Sequence, residues 1–571
     1  MIALFPGALI GVALAQDTQE LAPTAETAPK SAEAPAAAPT STETAPAPAP
    51  TAGGTAAETA APTAAPAPAA TSDSAASETA AAGAGAEALE PLAADAVVPA
   101  PPTKKLPLST WGEVRLLGSL PPEAVLDTEG TTLGQGPVLD GRARLGLAYT
   151  AETWSVRTEW DLIEGQLAGD AWDIRGAEDA RDRGAVGIMS ADAFVPRRLS
   201  VDGRAGPVGI EAGLVTSHWG LGMLANDGAH DPVFGRSDFG DRVIRVRLGT
   251  RPVADVPLTV AIAGDRVVAD EQATWSPFVG GQAAWQAIAT VLWGEPDKAR
   301  AGLYGVYRNQ TEADGLRVTQ VGVVDLYGDA PIVLPGWKLR VAGEAAGIFG
   351  STTRGQSYNA RDGLVVQSLG AVGLVEARPD ALPASGMLRG GFASGDGNPD
   401  DGYSRDFTFD RDLDAGMVLF DELQGSIDAA AYAQLTDPTH SGGAPDGAEL
   451  LVAEGSVRHA TFIQPVVTVT PRPWLGLKAG ALFAWNTSPI TQPFATYRNG
   501  GVPVNHLGEP TSGYWLGTEL DWAVTLGDVD ATVLGLKSRP ALLVQGGHLL
   551  ASAEMGGGVV TLVTATGRLR W

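Results

Sequence analysis

The chain has 571 residues, a formal net charge of −27, 72 glycines, 41 prolines and no cysteine. The absence of cysteine excludes a disulfide scaffold, a Cys-ligated zinc or iron–sulfur site and a cysteine nucleophile. The acidic balance argues against a nucleic-acid binder, which needs a basic face. Length alone predicts roughly three or four ordinary domains. No stretch beyond the N-terminus approaches the ~20 apolar residues of a membrane-spanning helix.

The N-terminus begins with a short apolar run, MIALFPGALIGVALAQ, that ends in small residues. This pattern predicts that residues 1–15 are a secretory signal peptide cleaved after Ala15. The segment departs from the usual pattern because no Lys or Arg precedes the apolar core. A buried N-terminal helix is the alternative interpretation.

Residues 16–106 are dominated by Ala, Pro, Thr, Glu and Ser and contain no aromatic residue. Such a segment cannot bury enough apolar surface to offset its ordering entropy, so we expect a disordered Ala/Pro-rich linker in the periplasm. A passive tether is the plain interpretation, and an arm that engages the cell wall or a periplasmic partner is the alternative. The linker also supports a second hypothesis for the whole chain, a structural anchor of an envelope complex for motility or adhesion.

Residues 107–571 repeatedly alternate apolar and polar side chains with a period of two. Between Trp154 and Leu162, every even position is apolar or Thr and every odd position is polar or charged. This predicts a strand with one apolar face and one wet face. The apolar faces are about ten residues long and carry aromatic residues near their ends, as the strands of outer-membrane barrels do.

The connections between the predicted strands alternate between tight turns and longer loops. This alternation predicts an all-β fold, a transmembrane antiparallel β-barrel of about 18 strands in the outer membrane of a Gram-negative bacterium. The barrel would occupy residues 107–571 and carry one long loop at 396–456. The predicted strands are 109–118, 140–150, 152–163, 193–202, 207–216, 240–250, 256–265, 282–293, 298–309, 316–328, 336–350, 363–377, 385–395, 457–470, 473–487, 512–525, 529–550 and 557–571.

The last strand ends on an aromatic residue. Trp571 is preceded by Leu569 and further apolar or small residues at every second position. This resembles the C-terminal strand signature of outer-membrane barrels, which implies recognition by the barrel-assembly machinery and insertion into outer-membrane lipid.

The polar strand faces are predicted to line the lumen. Eighteen strands leave room for an aqueous channel unless loops fill it, and a preference for Arg over Lys fits planar hydrogen bonding to carboxylates or sugar hydroxyls. Two interpretations stay open: the arginines pair with lumen acids and hold the wall together, or they form a track for an anionic solute. The predicted solute-facing residues are Arg115, Arg142, Arg144, Arg157, Glu159, Asp161, Arg245, Arg247, Lys338, Arg340, Glu344, Glu519 and Asp521.

The loop at 396–456 is too long for an ordinary connection. Asp396, Asn398 and Asp400 follow one another at a spacing of two, as in the first half of a calcium loop with oxygen ligands. Phe407 stands where an EF-hand would need Glu, so a plain acidic turn is the alternative to a calcium site. Calcium is the one cofactor that the sequence suggests.

The same loop contains an apolar stretch, residues 417–435, that is predicted to form a short helix. Folded into the mouth of the barrel, this helix would narrow the pore. Folded over the mouth, it would dock a partner.

The segment Ser217–Gly228 is too apolar for a surface loop, so we expect it to pack at the barrel rim or turn inward. His218 within it is expected to be a hydrogen-bonded structural residue, with a ligand role as the alternative. The six histidines are scattered, without an HExxH motif or a nucleophile elbow. No catalytic constellation is predicted, and the chain is not expected to be an enzyme.

Two short motifs resemble known barrel families. Gly391–Gly402, followed by Phe407–Asp410, is similar to alginate-export-type barrels, in which a glycine-rich strand leads into an acidic loop. The segment SHWGLGMLANDG with Asp238–Asp241 resembles an uncharacterised myxobacterial outer-membrane barrel family. The first resemblance implies eighteen strands and an Arg-rich conduit for an acidic polysaccharide. The sequence therefore predicts a passive outer-membrane channel, either a porin or a polysaccharide export conduit.

Overall fold

The computed structural model describes residues 107–571 apart from 121, 134–135, 170–189, 237–239, 296, 356–359, 399–400, 438, 440–452, 454, 501 and 534–535. The predicted signal peptide (1–15) and linker (16–106) lie outside the described residues. The predicted fold class is confirmed, because 18 antiparallel strands close into a single barrel. The strands are β1 (Leu108–Leu120), β2 (Val138–Thr150), β3 (Trp154–Gly169), β4 (Val195–Ala205), β5 (Val208–Thr216), β6 (Arg242–Thr250), β7 (Leu258–Ala269), β8 (Ala283–Gly294), β9 (Arg300–Thr311), β10 (Val318–Leu334), β11 (Trp337–Thr352), β12 (Leu364–Pro379), β13 (Ala384–Ala393), β14 (Ala460–Arg472), β15 (Leu475–Asn486), β16 (Trp515–Gly527), β17 (Leu536–Ala551) and β18 (Val559–Arg570).

The barrel closes between its first and last strands. β1 pairs antiparallel with β18 from Glu113 opposite Arg570 to Leu120 opposite Val563. Trp571 continues this seam, since its backbone N–H and C=O each bond to Gly112 at 3.1 Å. A side chain at position 112 would collide with the Trp571 ring, so glycine is required for this close approach.

The outward face of the barrel is apolar and the inward face is polar. Along β6, Ile244, Val246 and Leu248 are 42%, 58% and 40% exposed, whereas Arg245 between them is 7% exposed. Alternate side chains of a strand point to opposite faces, so the exposed residues form the outer surface. The predicted alternation is thus present in three dimensions, with apolar side chains outside and charged ones inside.

The two ends of the barrel differ in the length of their connections. One end, here the turn end, carries tight links such as 151–153, 206–207 and 473–474 together with Pro107 and Trp571. The other, the loop end, carries longer links, including 217–241 and 394–459. One tight link differs from its prediction: β10 runs on to Leu334, because residues 330–334 continue to pair with β11 where a link at 329–335 was expected.

Helices and short strands belong to the links. A π-helix (Leu419–Gln424) leads directly into an α-helix (Gly425–Thr436), and a helix (Pro493–Arg498) and a 3-10 helix (Ala553–Met555) follow later in the chain. Across the described residues, no helix has both the length and the apolar character to cross a membrane. The short strands are Ala124–Val125, Thr132–Leu133, Ser190–Asp192, Trp275–Ser276, Gly280–Gly281, Tyr403–Ser404 and Ala531–Val533.

The last of these short strands corrects a predicted boundary. The sequence pattern placed one strand over 529–550, but Ala531–Val533 pairs back onto Leu536–Ser538 as a small hairpin. The barrel strand β17 therefore begins at Leu536. Alternation continues through the hairpin, so periodicity alone did not reveal the reversal of direction.

The largest apolar core lies inside the barrel and is built mostly from the links. Met223 and Phe234 from 217–241 pack in one cluster with Phe407, Phe409 and Met417 from 394–459. Strand residues such as Phe462 and Leu482 complete the cluster. The lumen is consequently filled in part by loops, and its shape depends on how these loops are held.

Candidate functional site

The first lumen loop, Ser217–Asp241, folds into the barrel. Near its start, the indole N–H of Trp219 donates to Asp325 on β10 at 2.9 Å, and the backbone N–H of Leu221 donates to Glu344 on β11. Further on, the Val233 carbonyl accepts a hydrogen bond from Lys478 at 2.8 Å. Of the two placements predicted for Ser217–Gly228, at the barrel rim or turned inward, these contacts follow the second.

The same loop reaches the turn end of the barrel. Asp231 accepts hydrogen bonds from Arg568 at 2.7 Å and from Arg570 at 2.8 Å, both near the end of β18. Arg570 also donates to Glu113 on β1 at 2.7 Å. The loop is therefore anchored at the seam where the barrel closes.

The second lumen loop, residues 394–459, enters from the loop end and is held by β16. Glu519 accepts the backbone N–H groups of Met417 at 2.5 Å and of Val418 and Leu419 at 2.8 Å each. On β13, Arg389 donates to the Asp414 carbonyl. Because Glu519 lies within the barrel, the helical segment of this loop folds into the mouth, as one of the two predicted arrangements requires.

The two lumen loops bind each other. The backbone N–H of Asp410 donates to the Met223 carbonyl at 2.8 Å, and that of Gly240 donates to the Asp412 carboxylate at 2.7 Å. Leu221 and Asn226 face a cavity toward the turn end, whereas Leu224 and Ala225 face a second cavity toward the loop end. Together, the two loops form a partition across the lumen.

The turn-end cavity has a volume of about 460 Å³ and a surplus of basic side chains. Burial raises the pKa of Asp414 well above its usual range, and the nearby Asp421 carboxylate adds to the effect. This shift favours the uncharged form of Asp414, which adds to the positive surplus. The basic residues that line this cavity are Arg115, Arg236, Arg340, Arg389, Lys478, Arg539, Arg568 and Arg570, and the acidic ones are Asp231, Asp412, Asp414 and Asp528.

The loop-end cavity has a volume of about 410 Å³ and is lined by more acids than bases. Three of the acids, Asp241, Glu271 and Asp410, bring carboxylate oxygens within 4.8 Å of one another. Burial and the mutual repulsion of these carboxylates raise the pKa of Asp241 and Asp410 well above their usual range, and burial raises that of Glu271 to about 7. Proximity and burial therefore favour the protonated forms of these three acids.

Most of the arginines predicted to face the solute form ion pairs with acids in or near the barrel wall. The shortest N···O distances are 2.6 Å for Arg142–Glu113, Arg144–Asp161 and Arg245–Asp265, 2.8 Å for Arg247–Glu211, 3.1 Å for Arg340–Asp329 and 3.6 Å for Arg157–Asp202. These contacts follow the first of the two open interpretations, in which arginines and acids hold the wall together.

The other predicted lumen residues have varied surroundings. Arg115 lines the turn-end cavity, Glu159 accepts from the Trp111 indole at 2.9 Å, and Lys338 is exposed at the turn end. Glu344 and Glu519 hold the two lumen loops. Asp521 is buried beside the second loop, near Met417 and Val418, and its carboxylate makes no hydrogen bond among the described residues.

The predicted calcium residues are only partly described. Asp396 accepts the backbone N–H of Asn398 at 3.0 Å and pairs with Arg405 at 3.5 Å. Asp400 lies outside the described residues. An arginine beside Asp396 accounts for its charge without an ion, and the calcium site stays a prediction.

The anchoring residues of the lumen loops were not singled out from the sequence. Asp231 and Arg568 are 337 positions apart, and Asp412 and Gly240 are 172 apart. Strand alternation could have placed Arg568 and Arg570 on the inward face. No local pattern identifies Asp231 as their partner, because the depth to which a loop enters the barrel is set by packing.

One buried acid in the second lumen loop makes stability pH-dependent. Burial in the helix Gly425–Thr436 raises the pKa of Asp428 from its ordinary 3.8 to about 7. Between about pH 4 and pH 7, the Asp428 carboxyl group is protonated in the folded protein and ionised in the unfolded chain. The protonated carboxyl group therefore contributes its full stabilisation below about pH 4, and this stabilisation is lost as pH rises through 7. We expect Asp428→Asn to raise the free energy of unfolding at pH 8 by as much as about 4 kcal/mol and to change little at pH 4.

Melting temperatures of the refolded protein in detergent, measured by circular dichroism at pH 4, 6 and 8, check this expectation. Asp530→Asn is the matched control, because the Asp530 side chain is 98% exposed. The same loss of stability with rising pH in wild type and Asp428→Asn would contradict the assignment.

Fold and lumen together define the molecule as a closed antiparallel barrel whose lumen holds two charged cavities and a partition of loops.

No family model matches the chain, and no curated protein matches its sequence. Among solved structures, it is similar to Pseudomonas aeruginosa OccK5 (OpdH), with a TM-score of 0.45, 8% identity and coverage of 81% of this chain and 98% of that chain. It is also similar to P. aeruginosa OccK8 (OprE), with a TM-score of 0.45, 10% identity and coverage of 81% and 98%. For a BenF-like porin from Pseudomonas fluorescens Pf-5, the values are 0.45, 10%, 81% and 99%.

Proposed function

We propose that the chain is a passive outer-membrane channel that favours small anions. The observation that carries this proposal is the lining of the turn-end cavity, in which eight basic side chains outnumber four acidic ones. Two of the basic side chains, Arg340 and Arg570, also pair with Asp329 and Glu113 outside that lining. Burial raises the pKa of Asp414 well above its usual range, which favours the uncharged form of this acid and so adds to the surplus of basic side chains. A cavity with a surplus of one sign concentrates counter-ions, so anions are enriched there.

An outer-membrane location is part of this proposal. The exposed apolar side chains of alternate strand positions, such as Val246 and Leu248, are suited to lipid. Tight turns at one end and long loops at the other are the usual arrangement in bacterial outer-membrane barrels, with the long loops outside. In this orientation, the turn-end cavity faces the periplasm.

The partition favours a small solute over a polysaccharide chain. The two lumen loops meet inside the barrel through the Asp410–Met223 and Gly240–Asp412 hydrogen bonds, and a polymer would need a continuous wide path. A porin is therefore our choice between the two channel types. The resemblance to alginate-export-type and myxobacterial barrels remains a prediction from short motifs.

Ion selectivity in planar lipid bilayers tests the proposal. With the full chain inserted under a KCl gradient, we expect discrete ohmic openings and a reversal potential that reports a chloride permeability above that of potassium. Raising pH from 6 to 8 should lower this preference, because Glu271, whose pKa burial raises to about 7, then gains its charge. A barrel that never conducts would overturn the proposal in favour of the anchoring hypothesis, and a cation-selective current would overturn its anion preference.

A further inference from the structure

Two histidines and an aspartate in the first lumen loop converge on one point. The Nδ1 atoms of His218 and His230 each lie 3.4 Å from the same oxygen of Asp227, Oδ1. The two imidazole rings are 5.0 Å apart between centroids. All three side chains thus present one ligand atom to a common space.

The spacing of these atoms matches a metal site better than a hydrogen-bonded cluster. N–H···O hydrogen bonds have heavy-atom distances of roughly 2.7–3.2 Å, so 3.4 Å is long. In tetrahedral coordination with metal–ligand distances of about 2.0–2.1 Å, neighbouring ligand atoms are about 3.3–3.4 Å apart. Two imidazoles and one carboxylate form a ligand set that Zn²⁺ and related ions accept.

A second observation points independently to a missing ligand. The His218 side chain is only 4% exposed, and neither of its ring nitrogens makes a hydrogen bond among the described residues. An imidazole buried in this way loses its bonds to water without replacing them, which is costly. A metal ion bound at Nδ1 would satisfy one of these two nitrogens.

The loop is shaped to bring these residues together. Trp219 is fixed by its hydrogen bond to Asp325 and by stacking on Tyr304. Gly222 then adopts a left-handed φ of +82°, and the chain returns so that the N–H of Trp219 bonds to the Ala225 carbonyl at 3.1 Å. This tight return places Asp227 against His218.

The surrounding charges are compatible with a cation. Arg197 donates to the backbone carbonyl of Asp227 at 2.7 Å, and its own charge is matched by Glu159 and Asp161 at 3.4 and 3.7 Å. The Asp227 carboxylate also accepts the backbone N–H of Ala229 at 3.0 Å, which fixes its orientation. Such support of a ligating carboxylate is typical of metal sites.

We propose that His218, Asp227 and His230 bind one divalent transition-metal ion of the zinc class, with a fourth position open to the turn-end cavity. Both histidines line that cavity, so an ion and a water ligand can enter from it. The ion would join the start of the first lumen loop to its middle. This site is additional to the proposed channel function, and metal binding is measurable without any transport assay.

Cobalt provides a direct test on the full chain. Protein in detergent is stripped with EDTA and titrated with Co²⁺, whose tetrahedral complexes absorb strongly in the visible range, and Zn²⁺ binding is followed by calorimetry. We expect one ion per chain, a tetrahedral cobalt spectrum and displacement of cobalt by zinc. His218→Ala and His230→Ala should each weaken binding by at least about 100-fold, which exceeds the 10–100-fold typical of losing a supporting residue. His548→Ala, at a half-buried histidine of β17 whose ring nitrogens contact Trp522 and Thr561, should bind like wild type.

The outcomes separate clearly. A wild-type chain without a tetrahedral cobalt spectrum or with far less than one zinc per chain would overturn the proposal, and this result needs no variant to fold. Zinc binding that persists in both histidine variants would also overturn it, since the ion would then sit elsewhere. Should His218→Ala fail to fold by circular dichroism, Asp227→Asn keeps the side-chain volume and is expected to show the same loss.

Discussion

Replacing Glu519 with glutamine is expected to open the lumen. The carboxylate holds three consecutive backbone N–H groups, those of Met417, Val418 and Leu419, and fixes the entry of the second lumen loop into its helices. An amide of the same size has only one accepting oxygen and no charge. One oxygen of Glu519 accepts Met417 and Val418 and the other accepts Leu419, so the amide loses the Leu419 bond. Hydrogen bonds to charged groups contribute about 1.5–3 kcal/mol each, so this loss shifts the equilibrium between held and released loop by about 10–10²-fold.

Single-channel recording in planar bilayers measures this change. We expect larger mean conductance and longer openings for Glu519→Gln than for wild type. Glu376→Gln is the matched control, because Glu376 lies on β12 and pairs with Arg378 at 3.4 Å, whereas the backbone of Met417–Leu419 is held by Glu519. A Glu519→Gln channel with wild-type conductance would show that the second loop is held in place by its apolar packing alone.

Asp231→Asn should have the second large effect, on ion selectivity. The Asp231 carboxylate pairs with both Arg568 and Arg570 at the turn end. Removing its charge leaves one more net positive charge on the wall of the turn-end cavity. A unit charge 5–10 Å from a passing ion changes its energy by about 0.4–0.8 kcal/mol in water. The change is favourable for chloride and unfavourable for potassium, so we expect the chloride-to-potassium permeability ratio to rise about 4- to 15-fold.

Reversal potentials under a salt gradient report this ratio. Asp314→Asn serves as the control, since Asp314 lies in an exposed link between β9 and β10 and pairs with Arg317. An unchanged ratio in Asp231→Asn would mean that the permeating ions do not pass Arg568 and Arg570. A fall in the ratio would contradict the proposed anion preference of the cavity.

The strands could be predicted because the alternation of apolar and polar residues that defines them lies within each short segment of the sequence. Alternation in segments such as Trp154–Leu162 specifies which side chains face lipid and which face the lumen, and the same faces occur in the barrel. The alternation of tight and long links then specified the number of strands. Only the ends of strands were misplaced, as at Ala531–Val533, where a hairpin keeps the same periodicity.

The contents of the lumen could be predicted only in outline. The apolar character of Ser217–Gly228 favoured packing at the barrel rim or an inward turn. The contacts of the first lumen loop with β10, β11 and β18 depend on packing between residues far apart in the chain. Likewise, the sequence left two roles open for the arginines. Choosing between them needs the strand register, which brings Arg142 beside Glu113 and Arg144 beside Asp161.

The mutual binding of the two lumen loops has a consequence for how such a chain can vary. Met223 and Gly240 of one loop contact Asp410 and Asp412 of the other, although the two segments are separated by eight strands of the wall. If the first loop were shorter or longer, the Met223 carbonyl and the Gly240 N–H would no longer reach Asp410 and Asp412 of the second loop. We therefore expect the two segments to be inherited together, so that a homologue with a different first loop also carries a different second one.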